Sequence, residues 1–294
     1  MYAAEFDYYK AGSVADALQL LGAHEGAKLI AGGHSLIPLL KLRLSRPSAL
    51  IDIGGIAELK GIRVENGTIR IGPLATHGEI AGSSAIENAC GMVAEAAGGI
   101  GDTQVRNRGT IGGNVVHADP ASDWGTVLTA LNASFNIEGS GGLLRSGSRT
   151  VSAADFFQGV FATALGEGEI LTGIEMPVLG PNQHAEYAKM AHPATGFAVV
   201  GAAVVVTVAD GRCTDASIVV GGLVPSPLRV RSVESALIGQ ELNLETIAAA
   251  AENVSHDVGD NAIGDFFASA EYRTVIAGVE VKHALNHAMG FAHH

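Results

Sequence analysis

Ala31-Gly32-Gly33-His34-Ser35 and Thr110-Ile111-Gly112-Gly113-Asn114 are the two stretches that decide how this sequence is interpreted. Each glycine pair lies beside a short apolar run and has a hydroxyl side chain at one end. Glycine lacks a Cβ, so the backbone can turn sharply and approach a ligand closely. Successive free N–H groups in such a turn form a concave anion site, most often for a phosphate. The pair predicts a diphosphate held from two sides, although glycine pairs also occur in purely structural turns.

The flanks of the first stretch predict a compact strand–turn–helix–strand unit of about fifty residues. The apolar residues predict a buried strand at Lys28–Ala31 and a helix after it at Leu36–Leu44. They predict a second strand at Ala49–Ile53. Ser13 with Asp16 predicts the start of an earlier helix, Val14–Leu21. The unit lacks the GxGxxG pattern, which disfavours a Rossmann site.

The second stretch lies among short predicted helices and strands. Val115–Val116 is interpreted as a strand leaving the glycine turn, and Ile86–Ala97 as a helix. Thr76 and Glu79 form a capping box, while Asp119 is expected to cap the helix Trp124–Ala130. The remaining predicted strands here are Thr68–Ile71, Phe135–Glu138 and Ile170–Glu175.

A domain boundary is predicted at residues 177–181, where two prolines flank a glycine. Beyond it, Phe197–Val208 and Ala216–Leu223 are expected to pair as strands. Three helices are predicted to cover this sheet: Ser232–Ile238, Leu244–Val254 and Phe266–Met289. The second domain is therefore expected to be a small sheet backed by helices.

The composition excludes several classes of function. Hydrophobic residues make up 47% of the 294 residues, and the formal charge of −12 disfavours a nucleic-acid partner. The two cysteines, Cys90 and Cys213, are too few and too far apart to hold an iron–sulfur cluster or a structural zinc. The N-terminus has no secretory pattern and no stretch is apolar enough to span a membrane, so the expected location is the cytoplasm.

Four stretches in order carry a resemblance over nearly the whole chain: AGGHSL at 31–36, DTQVRNRGTIGGNVVHADPASD at 102–123, EILTGIEMP at 169–177 and HPATGFAVVGAAV at 192–204. The chain resembles the FAD-binding medium subunit of molybdenum hydroxylases of the carbon monoxide dehydrogenase type, with the xanthine dehydrogenase flavin domain as a distant relative. The resemblance implies an α+β, two-subdomain FAD-binding fold of the PCMH/vanillyl-alcohol-oxidase type over 1–177, divided at about 1–55 and 56–177. A small C-terminal α/β domain, a sheet backed by helices, is implied over 182–290.

The resemblance also implies which residues contact FAD. The first wrap around the cofactor comprises Leu29, Ile30, Ala31, Gly32, Gly33, His34, Ser35 and Leu36, and the second comprises Thr110, Ile111, Gly112, Gly113 and Asn114. Ile100, Gln104, Leu171 and Lys189 match positions near the cofactor, and Asp123 matches one near its adenosine end. Tyr187 is either a packing residue or a shield for one flavin face. On this view, Gly112→Val or Gly33→Val would place a branched Cβ where the pyrophosphate approaches.

The implied function is electron transfer. A large subunit with a molybdenum cofactor would hydroxylate the substrate, and a small subunit with two [2Fe–2S] clusters would pass electrons to FAD in this chain. The assembly is expected to be a dimer of heterotrimers that delivers electrons to an external acceptor. No catalytic acid or base and no metal ligand is assigned to this chain. The alternatives are a self-sufficient flavin oxidoreductase and a scaffold protein without FAD.

Overall fold

The computed structural model describes residues 2–142 and 145–291, which form successive sheet-and-helix units. The first unit is a parallel sheet in the order β1-β3-β2, in agreement with the predicted strand–turn–helix–strand unit. Its elements are β1 (Asp7–Lys10), α1 (Val14–Ala23), β2 (Lys28–Ile30), α2 (Leu36–Lys41) and β3 (Ala49–Asp52). Ser13 caps α1 by accepting a hydrogen bond from the Asp16 amide, as predicted.

The second unit is an antiparallel sheet in the order β4-β5-β10-β6-β7. Its strands are β4 (Ile62–Glu65), β5 (Thr68–Ile71), β6 (Ser134–Gly142), β7 (Arg145–Ser152) and β10 (Glu169–Pro177), with a hairpin of β8 (Phe157–Gly159) and β9 (Ala162–Thr163). Its helices are α3 (His77–Ala81), α4 (Ser84–Ala89), α5 (Gly91–Gly98), α6 (Thr103–Arg106), α7 (Ile111–His117), α8 (Asp123–Ala130) and α9 (Ala153–Phe156). Phe135 and Ile174 of the sheet share a core with Trp124 and Leu128 of α8.

The third unit is an antiparallel sheet in the order β11-β12-β13-β14, with four helices. Its elements are β11 (Gln183–Ala191), β12 (Ala198–Ala209), β13 (Arg212–Gly221), β14 (Leu228–Arg229), α10 (Arg231–Leu237), α11 (Leu244–Ala251), α12 (Val254–Val258) and α13 (Ala270–Ala288). The predicted β12–β13 pair is present. Val204 of β12 belongs to the core with the C-terminal helices, whereas Ala203 and Val205 join the core around α8. Both faces of the strand are covered, which explains why its sequence is almost entirely apolar.

The structure corrects several predicted elements. Val115–Val116 is not a strand, because it lies inside α7. The helix predicted over Ile86–Ala97 is two helices, since Cys90 has an extended backbone with φ of −166°. Asp119 does not cap α8; Ser122 does so by accepting a hydrogen bond from the Trp124 amide.

Several helix bounds also differ from prediction, and the helix predicted over Leu244–Val254 is two helices, α11 and α12. The helix after the first glycine loop ends at Lys41 rather than Leu44. The last helix begins at Ala270 rather than Phe266, because Ser269 accepts a hydrogen bond from the Tyr272 amide and fixes the start there.

Candidate functional site

The first glycine loop, residues 31–35, joins β2 to α2 and presents unpaired amide groups. In the described part of the chain, the N–H groups of Gly32, Gly33, His34, Ser35 and Leu36 have no hydrogen-bond acceptor. His34 and Ser35 are exposed and the other three residues are half-buried. Five successive donors at the start of a helix fit a diphosphate, because they offer hydrogen bonds and partial positive charge without a mobile side chain.

Gly32 holds this loop against the segment that precedes the second glycine pair. A Cβ on Gly32 would lie 2.8 Å from the Arg108 carbonyl carbon and 3.1 Å from the Gly109 Cα. Both neighbours are backbone, so neither can rotate away. Glycine is therefore required at position 32 for the two segments to lie side by side.

The second glycine stretch is not an open turn. Thr110 is the N-cap of α7, and its Oγ1 accepts a hydrogen bond from the Gly113 amide at 3.2 Å. The Ile111 amide donates to the Ala75 carbonyl at 3.0 Å, and the Gly112 amide to the Pro73 carbonyl at 2.9 Å. These N–H groups are already hydrogen-bonded within the protein and are not free donors, and the FAD contacts predicted for Thr110–Asn114 stay predictions.

The role predicted for Gly112 changes for the same reason. A Cβ on Gly112 would lie 2.7 Å from the Pro73 carbonyl oxygen, so Gly112→Val would collide with the Pro73 backbone even in the absence of a diphosphate. A Cβ on Gly33 would meet the movable end of the Ile37 side chain at 2.7 Å, and Gly33 has φ of 75°. Gly113 is the exposed member of the second pair.

Asn114 also acts within the protein. Its Oδ1 accepts a short hydrogen bond from the Ser122 Oγ, which connects α7 to the residue that caps α8. The two glycine motifs therefore differ in kind: the first has free donors, and the second is a supporting helix start.

His77 supports this arrangement and was missed by the sequence analysis, which assigned only its neighbours Thr76 and Glu79 to a capping box. The ring is buried, and its Nδ1 accepts a hydrogen bond from the Trp124 Nε1 at 3.1 Å. The His77 amide donates to the Gly109 carbonyl at 3.0 Å. Because Trp Nε1 is only a donor, the His77 proton resides on Nε2. Burial lowers the His77 pKa to about 4, with smaller contributions from His34 and Arg106.

The His77 pKa predicts a pH-dependent stability. The folded chain keeps this imidazole neutral down to about pH 4, whereas an unfolded histidine is protonated below about 6.5. The unfolded state thus binds the extra proton between these values, so this contribution to stability falls as pH falls. Relative to His77→Asn, we expect the free energy of unfolding to decrease by about 1.4 kcal/mol per pH unit from 6.5 to 4. Urea unfolding across that range measures it, and parallel pH curves for the two chains would contradict it.

A buried cluster of three side chains joins α8 to β11. Asp123 Oδ1 accepts hydrogen bonds from the Tyr187 hydroxyl at 2.7 Å and the Lys189 Nζ at 2.8 Å. Burial raises the pKa of Asp123, while the adjacent Lys189 ammonium opposes that shift. Burial raises the pKa of Tyr187 well above its usual value, and the Asp123 carboxylate adds to this effect. The phenol therefore remains a hydrogen-bond donor.

Lys189 uses all three of its hydrogen-bond donors. Besides Asp123, its Nζ binds the Gly99 carbonyl at 2.9 Å and the Gly196 carbonyl at 3.0 Å. It therefore links α8 to the loops that follow α5 and β11. Asp123, Tyr187 and Lys189 thus hold parts of the protein together, and the cofactor contacts predicted for them stay predictions.

The other predicted site residues fall into two groups. Ile100 and Leu171 are buried in the core of the second unit, and the half-buried Leu29 and Ala31 pack against the core of the first. Gln104 is exposed on α6. Ile30, the last residue of β2, is half-buried.

Two arginines beside this region have different surroundings. Arg106 Nη1 donates to the Ile100 carbonyl at 3.2 Å and the Gly101 carbonyl at 3.0 Å, which fixes the loop before α6. Arg108 is exposed and, within the described residues, has no side-chain partner. The Arg108 side chain is therefore accessible to solvent.

Residues 2–142 and 145–291 contain no cluster suited to a metal ion, since no three of their His, Cys, Asp or Glu side chains lie close enough together. None of the helices in those ranges has the length and apolar character needed to cross a bilayer. Two histidines near the glycine motifs and the C-terminal sheet make ring contacts instead: His117 with Phe161 at 4.9 Å and His192 with Phe267 at 4.3 Å.

Comparison with known families gives two matches that together span most of the chain. Residues 4–179 match the FAD binding domain in molybdopterin dehydrogenase, and residues 185–288 match the CO dehydrogenase flavoprotein C-terminal domain. The chain belongs to the FAD-binding medium subunits of molybdenum hydroxylases. It is 37% identical over 284 residues to the carbon monoxide dehydrogenase medium chain of Hydrogenophaga pseudoflava, with 96% of each chain covered.

Other members of this family are similar to the chain over comparable lengths. The nicotine 6-hydroxylase medium subunit of Paenarthrobacter nicotinovorans is 37% identical over 266 residues, covering 90% of this chain and 91% of that one. A solved carbon monoxide dehydrogenase structure from Hydrogenophaga pseudoflava matches with a TM-score of 0.92 and 38% identity over 99% of both chains. The predicted family and α+β two-subdomain FAD-binding fold are confirmed. The chain is an oxidoreductase subunit.

Proposed function

We propose that this chain carries FAD and transfers electrons from [2Fe–2S] clusters of a small partner subunit to an external acceptor. Bound FAD supplies two-electron redox chemistry, while the protein sets its position, surroundings and access. Residues 32–36 bind the diphosphate through backbone N–H groups. The start of α7 at Thr110–Asn114, supported by the His77–Trp124 hydrogen bond, lies on the other side of the diphosphate. No residue of the chain is assigned as an acid–base catalyst.

The observation that carries this proposal is the run of five unpartnered amides in a loop fixed by close backbone packing at Gly32. A rigid loop with unmet hydrogen-bonding capacity is pre-organised for an anion, since few of its groups need to be ordered on binding. The exposed Arg108, whose own backbone packs on Gly32, adds positive charge beside the loop.

The proposed organisation assigns FAD binding to residues 1–177, with subdomains of about 1–55 and 56–177, and the C-terminal domain of medium subunits to 182–290. The partners are a large subunit with the molybdenum cofactor and the small iron–sulfur subunit, assembled as a dimer of heterotrimers in the cytoplasm. The relatives at 37% identity are named for carbon monoxide and for nicotine. Since similar medium subunits accompany such different substrates, we propose that the large subunit selects the substrate.

A ligand series tests the diphosphate site. We expect FAD to bind the isolated chain roughly 100-fold more tightly than riboflavin, because two or more charge-assisted hydrogen bonds to the diphosphate are lost without it. ADP, which keeps the diphosphate, should compete with FAD. Calorimetric titration of FAD, riboflavin and ADP measures these affinities. Riboflavin that binds as tightly as FAD, or ADP that fails to compete, would contradict the assignment of residues 32–36.

A second experiment separates the electron-transfer subunit from a self-sufficient flavoenzyme. Co-expression with the genes for the molybdenum and iron–sulfur partners should yield a stable complex whose flavin is reduced when substrate is added. Catalytic flavin turnover by the isolated FAD-loaded chain with the same substrate would favour the self-sufficient alternative.

A further inference from the structure

A basic and apolar surface follows the first glycine loop directly. It comprises Ile37, Lys41, Leu42, Arg43, Leu44 and Arg46, and we call it the α2 surface. Ile37 is 40% exposed, Leu42 52% and Leu44 73%. All three cations are exposed, and among the described residues no carboxylate lies within ion-pair distance of them. The surface therefore combines unneutralised charge with large apolar side chains in water.

The charge of this region is opposite to that of the chain. Residues 26–51 contain four Lys or Arg and no Asp or Glu, so they carry +4 within a chain of net −12. The remaining residues together carry −16. An acidic object of protein size would be repelled by most of this molecule and attracted to the α2 surface.

The chain turn at the end of α2 has an unfavourable backbone conformation that the fold of this chain does not explain. The Arg43 amide donates to the Leu40 carbonyl and the Leu44 amide to the Leu39 carbonyl, which is the Schellman arrangement at a helix end. The position occupied by Arg43 has φ of 59°, where glycine is favoured. Leu44, which would normally pack back on the helix in this motif, is largely exposed. Both residues are poor choices for the isolated chain, which points to a role in binding.

We propose that the α2 surface docks on an acidic, apolar-containing surface of another subunit of the complex. The proposal rests on the proposed function, since it requires a multisubunit assembly. Exposed Leu42 and Leu44 would provide the desolvated centre of the contact, and Lys41, Arg43 and Arg46 its charged rim. The apolar centre favours a protein over a nucleic acid. The six-residue α2 is too short to lie in a membrane surface as an amphipathic helix.

Charge reversal in the co-expressed complex tests the proposal. The test variant is Lys41→Glu/Arg43→Glu/Arg46→Glu. The matched control is Lys60→Glu/Arg63→Glu/Arg231→Glu, which reverses three exposed cations elsewhere. Both variants have a net charge of −18. We expect the test variant to bind its partner subunits at least about tenfold more weakly, and the control less than about twofold. Mass photometry at low and high salt measures assembly, and FAD titration of each isolated chain reports the cofactor site.

Four results of the charge-reversal experiment would overturn either the docking proposal or the proposed function. If wild type assembles and the test variant assembles equally well, the α2 surface is not the docking site. If the test variant loses FAD affinity while assembly is unchanged, these cations serve the diphosphate and the proposal is overturned. Flotation with vesicles containing anionic lipid, if reduced by charge reversal without any change in assembly, would overturn it in favour of a membrane. If wild type fails to assemble with either partner, the proposed function itself fails.

Arg43→Gly provides a second variant that cannot fail through misfolding at this turn. Glycine suits φ of 59°, so we expect the melting temperature of the isolated chain to rise by about 2 °C. Assembly should weaken because one rim charge is lost. A variant that is more stable and assembles as well as wild type would show that Arg43 contributes nothing to docking.

Discussion

Gly32→Ala is expected to abolish tight FAD binding and to destabilise the chain by about 3 kcal/mol. The added methyl group would press on the Arg108 carbonyl carbon at 2.8 Å, and this neighbour is backbone that cannot rotate away. The loop at 31–35 and the segment at 108–109 would have to separate. This movement shifts the free amides away from the start of α7. Calorimetric FAD titration and urea unfolding measure the two effects.

Two matched glycine variants control this result. Gly22→Ala lies in α1, where an added Cβ meets nothing within 4 Å, so we expect unchanged FAD affinity and a small gain in stability. Gly33→Ala meets only the side chains of Ile37 and Ile30, but its φ of 75° costs about 1–2 kcal/mol with an L residue. A Gly32→Ala chain that binds FAD like Gly22→Ala would show that close packing at position 32 is not needed.

Local or regular patterns in the sequence were sufficient for several individual elements, while the family resemblance supplied the two-subdomain FAD-binding fold. The apolar runs of β12 and β13 predicted a pair of strands, and Ser13 predicted the start of α1. The first glycine loop was predicted correctly as a turn between a strand and a helix. In these cases the residues that decide the structure are adjacent in the chain.

The errors arose where a distant partner decides the conformation. Nothing near Gly112 in sequence shows that its amide is taken by Pro73, so two similar glycine pairs received one interpretation. Val115–Val116 has strand-like residues, but the Thr110 cap and the helix it starts override that preference. His77 depends on Trp124, 47 residues away, and only the folded chain brings them together.

Lys189→Met is expected to destabilise the chain by about 3–5 kcal/mol. The substitution leaves the buried Asp123 carboxylate without its cation and frees the Gly99 and Gly196 carbonyls. Without Lys189 the folded-state pKa of Asp123 rises further above its unfolded value. The folded state then takes up a proton as pH falls, so the defect should be smaller at about pH 5 than at about pH 8. Urea unfolding at both values measures this dependence.

A surface control and a double variant decide what Lys189 does. Arg70→Met removes an exposed partner of Glu175 at 3.6 Å, and we expect a loss below about 1 kcal/mol. Lys189→Met/Asp123→Asn removes both charges and should recover much of the stability, because no unpaired ion remains buried.

The same double variant tests the cofactor contact. If the ion pair only joins α8 to β11, FAD affinity should recover in parallel with stability. If Lys189 or Asp123 contacts the cofactor directly, as the family resemblance predicts, affinity should stay low in the double variant. A Lys189→Met chain no less stable than Arg70→Met would contradict the buried ion pair altogether.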